Sequence, residues 1–141
     1  MKHKTYETSH GSIVSLGWDR EHFGGTDTLG NTAITVIEPW LPTLSNITLF
    51  GEGDRLANAR FFNYCRSLGN LKLFYLNTHP DLAAYRRQQR SLQTGKPQNE
   101  TWVKGRATKH RNLANQFNAI EIPSGLTPAE GAALMWTQII S

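Results

Sequence analysis

The sequence predicts an α/β fold built on a largely parallel sheet with helices on both faces. Three observations lead there. Short apolar, β-branched runs alternate with stretches of helical periodicity along the 141 residues, the pattern of strand–helix–strand units. Leu71-Lys72-Leu73-Phe74-Tyr75-Leu76-Asn77 is nearly continuously apolar, as a strand covered on both faces should be. Thr127-Pro128-Ala129-Glu130 is a capping box with proline at the first helical position and opens a last helix behind a short strand.

The elements follow in order. Residues 12–17 read as a strand, and a glycine-rich polar loop runs from Trp18 to Asp27. Ala33, Val36, Ile37 and Trp40 fall at helical spacing, with Pro39 interrupting. Residues 46–50 form a second strand, which ends in Gly51-Glu52-Gly53-Asp54-Arg55. A helix is predicted over about 54–68, with Leu56, Ala59, Phe62 and Cys65 on one side and Gly69 as terminator. After the strand at 71–77, His79-Pro80-Asp81 opens a helix that runs into a set of arginines. Residues 91–99 read as a mobile polar loop, 101–117 as a basic helix and 119–122 as a short strand. In the final helix Ala132, Ala133, Trp136 and Ile140 are placed to cover a sheet.

Length allows one domain, 1–141, with one core. No apolar run is long enough to span a bilayer and no apolar signal segment follows Met1, which reads as a cytoplasmic protein. The single cysteine, Cys65, excludes an internal disulfide and reads as a small core residue. The five histidines show no metal-ligand spacing, so no metal site is assigned to them.

Charge is unevenly placed. Residues 1–80 carry seven basic and seven acidic side chains, whereas 81–115 carry eight basic residues against Asp81 and Glu100. The net +4 therefore comes from one segment, a local field that attracts phosphate on a nucleotide or along nucleic acid.

Three constellations carry chemistry. In open α/β sheets ligands bind beyond the carboxyl ends of the strands, which points to residues 19–27, 52–55 and the loop after Asn77. Glu52, Asp54 and Arg55 form the candidate catalytic group. A carboxylate there can hold hydrated magnesium or accept a hydroxyl proton, and a guanidinium can grip phosphate bidentately. Asp54 reads equally as the cap of the following helix. Asp19, Arg20, Gly24, Gly25, Thr26 and Asp27 form a candidate acceptor-binding loop, although a glycine pair before Thr-Asp is also ordinary turn chemistry. Arg86, Arg87, Arg90, Lys104, Arg106 and Lys109 are candidate phosphate-binding residues in a lid-like segment at about 86–111. A cationic flap stabilises charge in phosphoryl transfer, and the same residues suit a nucleic-acid surface or a solvated face. Trp102, beside the basic run, is a candidate for stacking on a base.

The order of these pieces resembles the P-loop nucleoside and nucleotide kinases, most nearly the phage kinases that act on pyrimidines, including 5-hydroxymethyluracil in DNA. The likeness rests on Leu16-Gly17 with Phe23-Gly24-Gly25-Thr26-Asp27, on Glu52-Gly53-Asp54-Arg55-Leu56-Ala57-Asn58, and on Leu73-Phe74-Tyr75-Leu76-Asn77 with Pro80. The three arginines and Gln98-Asn99-Glu100-Thr101-Trp102-Val103-Lys104-Gly105-Arg106 with Thr108-Lys109 complete it. The resemblance implies an ATP- and Mg2+-dependent phosphotransferase acting on a nucleotide or a modified pyrimidine in DNA. It places Glu52, Asp54 and Arg55 at the acceptor and the magnesium-bound phosphates, and Arg86, Arg87 and Arg90 in a lid over the nucleotide. A phage-encoded copy would work in the host cytoplasm. One departure is plain: GxxxxGK[ST] does not occur in the 141 residues, so the first strand, the P-loop and the first helix of such a kinase are expected to be missing. Three explanations are then open: a truncated copy, a degenerate relative that keeps a binding site, or a chain whose sheet is completed by a second copy or another subunit. The alternative function is a non-catalytic basic module that holds nucleotide or nucleic acid. Both readings expect the basic segment and the turn around Gly53 to converge on one phosphate-sized cleft.

Overall fold

The computed structural model describes residues 1–17, 25–77, 80–96 and 99–140, with the backbone alone at 80–82. Among these residues it is a mixed α/β structure with five α-helices and two small sheets. The chain divides into two compact units, Met1–Leu71 and Lys72–Ser141.

In the first unit, β1 (His3–Thr8) and β2 (Gly11–Leu16) form an antiparallel hairpin, and β2 pairs in parallel with β3 (Ile47–Phe50). The sheet is therefore only partly parallel, and β1 is an element the sequence reading did not assign. Its signal is present: threonine and tyrosine favour strands, and Gly11 follows the two-residue turn in a left-handed conformation (φ 102°). The Thr8 hydroxyl ties that turn, donating to the Gly11 carbonyl at 2.7 Å and accepting from the His10 amide at 3.1 Å.

Helix α1 (Ala33–Trp40) lies on the same core as β2. Ala33, Ile37 and Leu41, each one turn apart, are buried with Leu16, Leu56 and Phe61. Pro39 does not end the helix as expected. It sits in the last turn, and the chain runs on through Trp40 into a 3-10 turn at Leu41–Thr43; only one upstream carbonyl loses its amide partner there. Val36, expected on the inner face, is exposed.

The helix expected from residue 54 begins later. Asp54–Leu56 is a 3-10 turn, and α2 spans Ala59–Leu68. Asn58 is its cap, accepting from the Phe61 amide at 3.0 Å, so Asp54 is not the cap of α2. Starting the helix at residue 59 turns Phe61 into the core, where it is buried, and leaves Phe62 and Cys65 partly buried against it. Burial, and secondarily the nearby Glu38 charge, pushes the Cys65 thiol up from its usual range. That fits a protonated packing residue.

In the second unit β4 (Phe74–Leu76) pairs in parallel with β5 (Ile120–Ile122). The strand expected over 71–77 is thus three residues long, and Leu76 is 64% exposed, so it is not covered on both faces. Helix α3 (Pro80–Thr94) is longer than expected, because residues 91–94 continue it rather than form loop; Gly95, with φ 69°, follows its end. Helix α4 (Glu100–Gln116) matches the expected span and is capped by Asn99, which accepts from the Trp102 amide at 3.0 Å.

Helix α5 (Pro128–Ile140) starts on the expected capping box. The Glu130 carboxylate accepts from the Thr127 amide at 2.9 Å, and the Thr127 hydroxyl accepts from the Glu130 amide at 3.1 Å. Its inner face overlaps the expected one only at Trp136, which is partly buried. Ala132, Ala133 and Ile140 are exposed, Gly131 is buried, and Leu134, Met135, Gln138 and Ile139 are partly buried. Gly131 packs beside buried Ile122, whose Cγ2 is 3.9 Å from where a Cβ would stand, an ordinary contact distance. The small alanines gave no directional signal.

The capping box makes stability depend on pH with a definite sign. Hydrogen bonds from Thr127 lower the Glu130 pKa below its ordinary 4.5. A depressed carboxylate contributes fully above the unfolded value, and the contribution fades as pH falls through the lower folded value. Denaturant midpoints measured from pH 7 downward should therefore drop in the acid limb for the unmodified chain and drop less for Glu130→Gln.

Candidate functional site

Strands β2 and β3 run parallel, with Ser15 opposite Phe50, so their carboxyl ends finish side by side. The chain leaves them through Gly17 and Gly51. The described loop residues after β2 are Gly25, a 3-10 turn at Thr26–Leu29, then Gly30 and Asn31; after β3 they are Glu52, Gly53 and the turn Asp54–Leu56. The sequence-predicted acceptor residues Gly25, Thr26 and Asp27 are thereby brought against the predicted catalytic group Glu52, Asp54 and Arg55. Asp19, Arg20 and Gly24 lie outside the described residues.

Three polar contacts knit the two loops. Thr26, only 1% exposed, donates its hydroxyl to the Glu52 carbonyl. Arg55 Nε donates to Asp27 Oδ1 at 3.2 Å, an ion pair with both side chains partly exposed. Arg55 Nη1 donates to Asn31 Oδ1. Asn31 is the residue sequence reasoning missed; an Asn two positions past a short turn carries no motif, and only the fold brings it to residue 55.

Backbone approach is close enough to need glycine at two positions above all. Gly17 has φ 84°, and a Cβ on it would lie 1.9 Å from the Gly25 carbonyl oxygen. Gly53 has φ 108°, and a Cβ there would meet the Thr26 hydroxyl at 2.7 Å. The Glu52 carboxylate lies against Gly25, with Oε1 3.0 Å from the place a Cβ would occupy. Glu52 and Gly53 are exposed, and Asp54 and Arg55 half-buried, while Leu56 drops into the core and anchors the turn from below. The arrangement is a rigid, polar, solvent-facing rim: carboxylates able to accept a proton or hold a hydrated cation, and a guanidinium fixed in direction.

In the second unit, Arg86, Arg87 and Arg90 lie within an arc of about 100° on α3, from the helical angle per residue. With Ala83 they line a shallow surface concavity. On α4 the basic residues divide. Arg106 and Lys109 lie toward the side of Trp102 and are partly buried, whereas Lys104 and Arg111 lie on the exposed side with Glu100. At about 100° per residue, Lys104 and Arg106 stand on nearly opposite sides of the helix, so Lys104, Arg106 and Lys109 do not form one phosphate face. Trp102 is half-exposed, and the Arg106 guanidinium lies 5.8 Å from its ring centroid, a cation–π contact that occupies one ring face. The turn around Gly53 belongs to the first unit and these cationic helices to the second.

Among the described residues, no helix is long and apolar enough to cross a membrane. No curated protein and no solved structure matches the chain. The family model described as P-loop Nucleotide Kinase3 matches residues 2–132, a span that takes in both loops at the ends of β2 and β3 and both basic helices. By that match, the chain belongs to the P-loop Nucleotide Kinase3 family.

Proposed function

We propose that the paired loops after β2 and β3 form the acceptor side of a kinase-like nucleotide-binding domain, receiving a nucleotide or a modified pyrimidine in DNA whose hydroxyl is the phosphoryl acceptor. One observation carries this reading. Two loops leaving the carboxyl ends of adjacent parallel strands are locked together by Arg55, Asp27, Asn31 and Thr26, and they leave the Glu52 carboxylate exposed on their rim. That is where a ligand of an open parallel sheet is expected. Glu52 would accept the proton of the acceptor hydroxyl, Arg55 would orient the acceptor, and Gly25 lets its backbone come close.

Kinases of this family generally use ATP and Mg2+. When bound, ATP supplies the transferred phosphoryl group and Mg2+ offsets its charge. The 141 residues contain no GxxxxGK[ST] loop, whose backbone amides and lysine cradle those phosphates. Among the described residues no group of three His, Cys, Asp or Glu is placed to hold a metal ion. The chemistry assigned to Glu52 and Arg55 is that of the acceptor side, from their place on the rim at the ends of β2 and β3. The arginine arc of α3 favours a second reading, a basic module that binds nucleotide or nucleic acid without catalysis.

Titration of the isotopically labelled chain separates the two. The probe is a short single-stranded DNA carrying 5-hydroxymethyluracil, compared with its thymine counterpart. The acceptor reading expects amide shifts at residues 25–31 and 51–56 that depend on the hydroxymethyl group and vanish in Arg55→Ala. Shifts confined to α3 and α4, indifferent to the base, would overturn it. A salt slope lowered by about one per phosphate contact in Arg86→Ala would then support the basic module.

A further inference from the structure

A helix that only covers a core turns its apolar side inward. Helix α3 does the reverse. Among its described side chains the partly buried ones are Ala83, Arg87, Ser91 and Thr94, while Tyr85 is 58% and Leu92 74% exposed. At about 100° per residue the outer side runs from Leu92 and Tyr85, through Gln89 and Gln93, to Arg86 and Arg90. All six are exposed, and all but Leu92 line the shallow concavity of this helix. Residues 82–99 contain Arg86, Arg87, Arg90 and Lys96 but no Asp or Glu. Among the described residues no carboxylate pairs with these arginines, whereas Asp27 holds Arg55 and Glu38 holds Arg60. The face is therefore cationic along one edge, aromatic and aliphatic along the other, with two amides between.

This pattern selects its occupant. A peptide helix docks through apolar anchors at i, i+3, i+4 and i+7, but three and four residues after Tyr85 stand Gln88 and Gln89. A lone nucleotide offers one base, while Tyr85 and Leu92 are spaced by about 10 Å along the helix axis. A duplex keeps its base faces inside the stack. A single strand offers what this face matches: base faces for Tyr85 and Leu92, base edges for Gln89 and Gln93, and successive phosphates for Arg86 and Arg90, one helical turn apart.

We infer that the outer face of α3 is a binding site for single-stranded nucleic acid, with Tyr85 as the platform on which a base stacks and Arg86 and Arg90 as the phosphate contacts. The inference rests on the basic-module reading of the arginine arc and adds to it the form of the ligand and the stacking residue. It is independent of the chemistry at the paired loops of the first unit.

The test measures fluorescence anisotropy of a dye-labelled, thymine-only single strand of about eight nucleotides, titrated with the 141-residue chain at low and at moderate salt. Such a strand carries no hydroxymethyl group, so the result does not depend on the acceptor reading. Tyr85→Ala should weaken binding by about tenfold and leave the salt dependence unchanged, because stacking releases no counterions. Tyr85→Phe, which keeps the ring, should retain most of the affinity. Arg86→Gln and Arg90→Gln should each flatten the salt dependence. Tyr85 is exposed and alanine favours helix, so the variant keeps its fold, and the amide spectrum of the labelled chain checks this. The same strand annealed to its complement should bind more weakly than the single strand, and the single strand should move the amides of residues 83–93. Equal or tighter binding of the duplex would overturn the inference and leave the basic-module reading standing. So would a folded Tyr85→Ala that weakens binding by less than about twofold. Absence of binding to either form, or amide shifts that leave α3 unmoved, would overturn both.

Discussion

Gly17→Ala is expected to destabilise the chain by about 2–4 kcal/mol, from the cost of a left-handed residue together with overpacking. The added methyl would stand 1.9 Å from the Gly25 carbonyl oxygen and 2.8 Å from the Thr28 hydroxyl, at a φ of 84°. The nearest obstacle is backbone, so no rotamer change relieves it. Gly17 also donates its amide to the Lys2 carbonyl at 2.8 Å, and Gly25 accepts from the Thr28 amide at 3.1 Å and the Thr28 hydroxyl at 2.8 Å. The loop can yield only by giving up bonds on one side or the other. Denaturant unfolding measures the loss, and amide shifts at residues 25–31 show whether the loop has moved. Gly30→Ala is the control, because Gly30 shares a positive φ but has nothing within 4 Å of the Cβ position. A Gly17→Ala penalty no larger than the control's would refute the close approach.

Ile37→Ala should cost about 2–5 kcal/mol, the range for truncating a fully buried aliphatic side chain. Ile37 is 0% exposed and belongs to the cluster that includes Leu16 and Leu56. Those two residues sit directly before Gly17 and directly after Arg55, so the cluster is the floor beneath both loops. Truncation should lower the denaturant midpoint with little change in slope. Acceptor affinity should fall because the loops lose their common support. Ile37→Val, which removes one methylene group, should cost about 1 kcal/mol and leave binding nearly intact. Equal losses from the two substitutions would show that packing at this position is not what holds the floor.

Much of the site was legible because its signals are local. Phe23-Gly24-Gly25-Thr26-Asp27 and Glu52-Gly53-Asp54-Arg55 stand out as glycine-bearing charged turns after strands, and α/β topology itself puts such turns at one end of a sheet. What they do to each other was not legible. Arg55 read as a phosphate grip, and in the structure it is held by Asp27 and Asn31. Asp54 read as a possible cap, and Asn58 caps α2. Lys104, Arg106 and Lys109 read as candidate phosphate-binding residues, and helical geometry places Lys104 nearly opposite Arg106 on α4.

By itself the sequence determined which segments are strands and helices wherever periodicity or a cap was strong, as in α4 and the Thr127–Glu130 box, and it located the charge excess in residues 81–115. Only the tertiary structure decided the partners: the antiparallel addition of β1, the inward face of α5, and the partners that hold Arg55. The physical reason is range. Caps, turns and helical stripes are fixed by neighbours within a few residues, while a side chain 24 or 28 positions away, as Asn31 and Asp27 are from Arg55, becomes a neighbour only once β2 and β3 have paired.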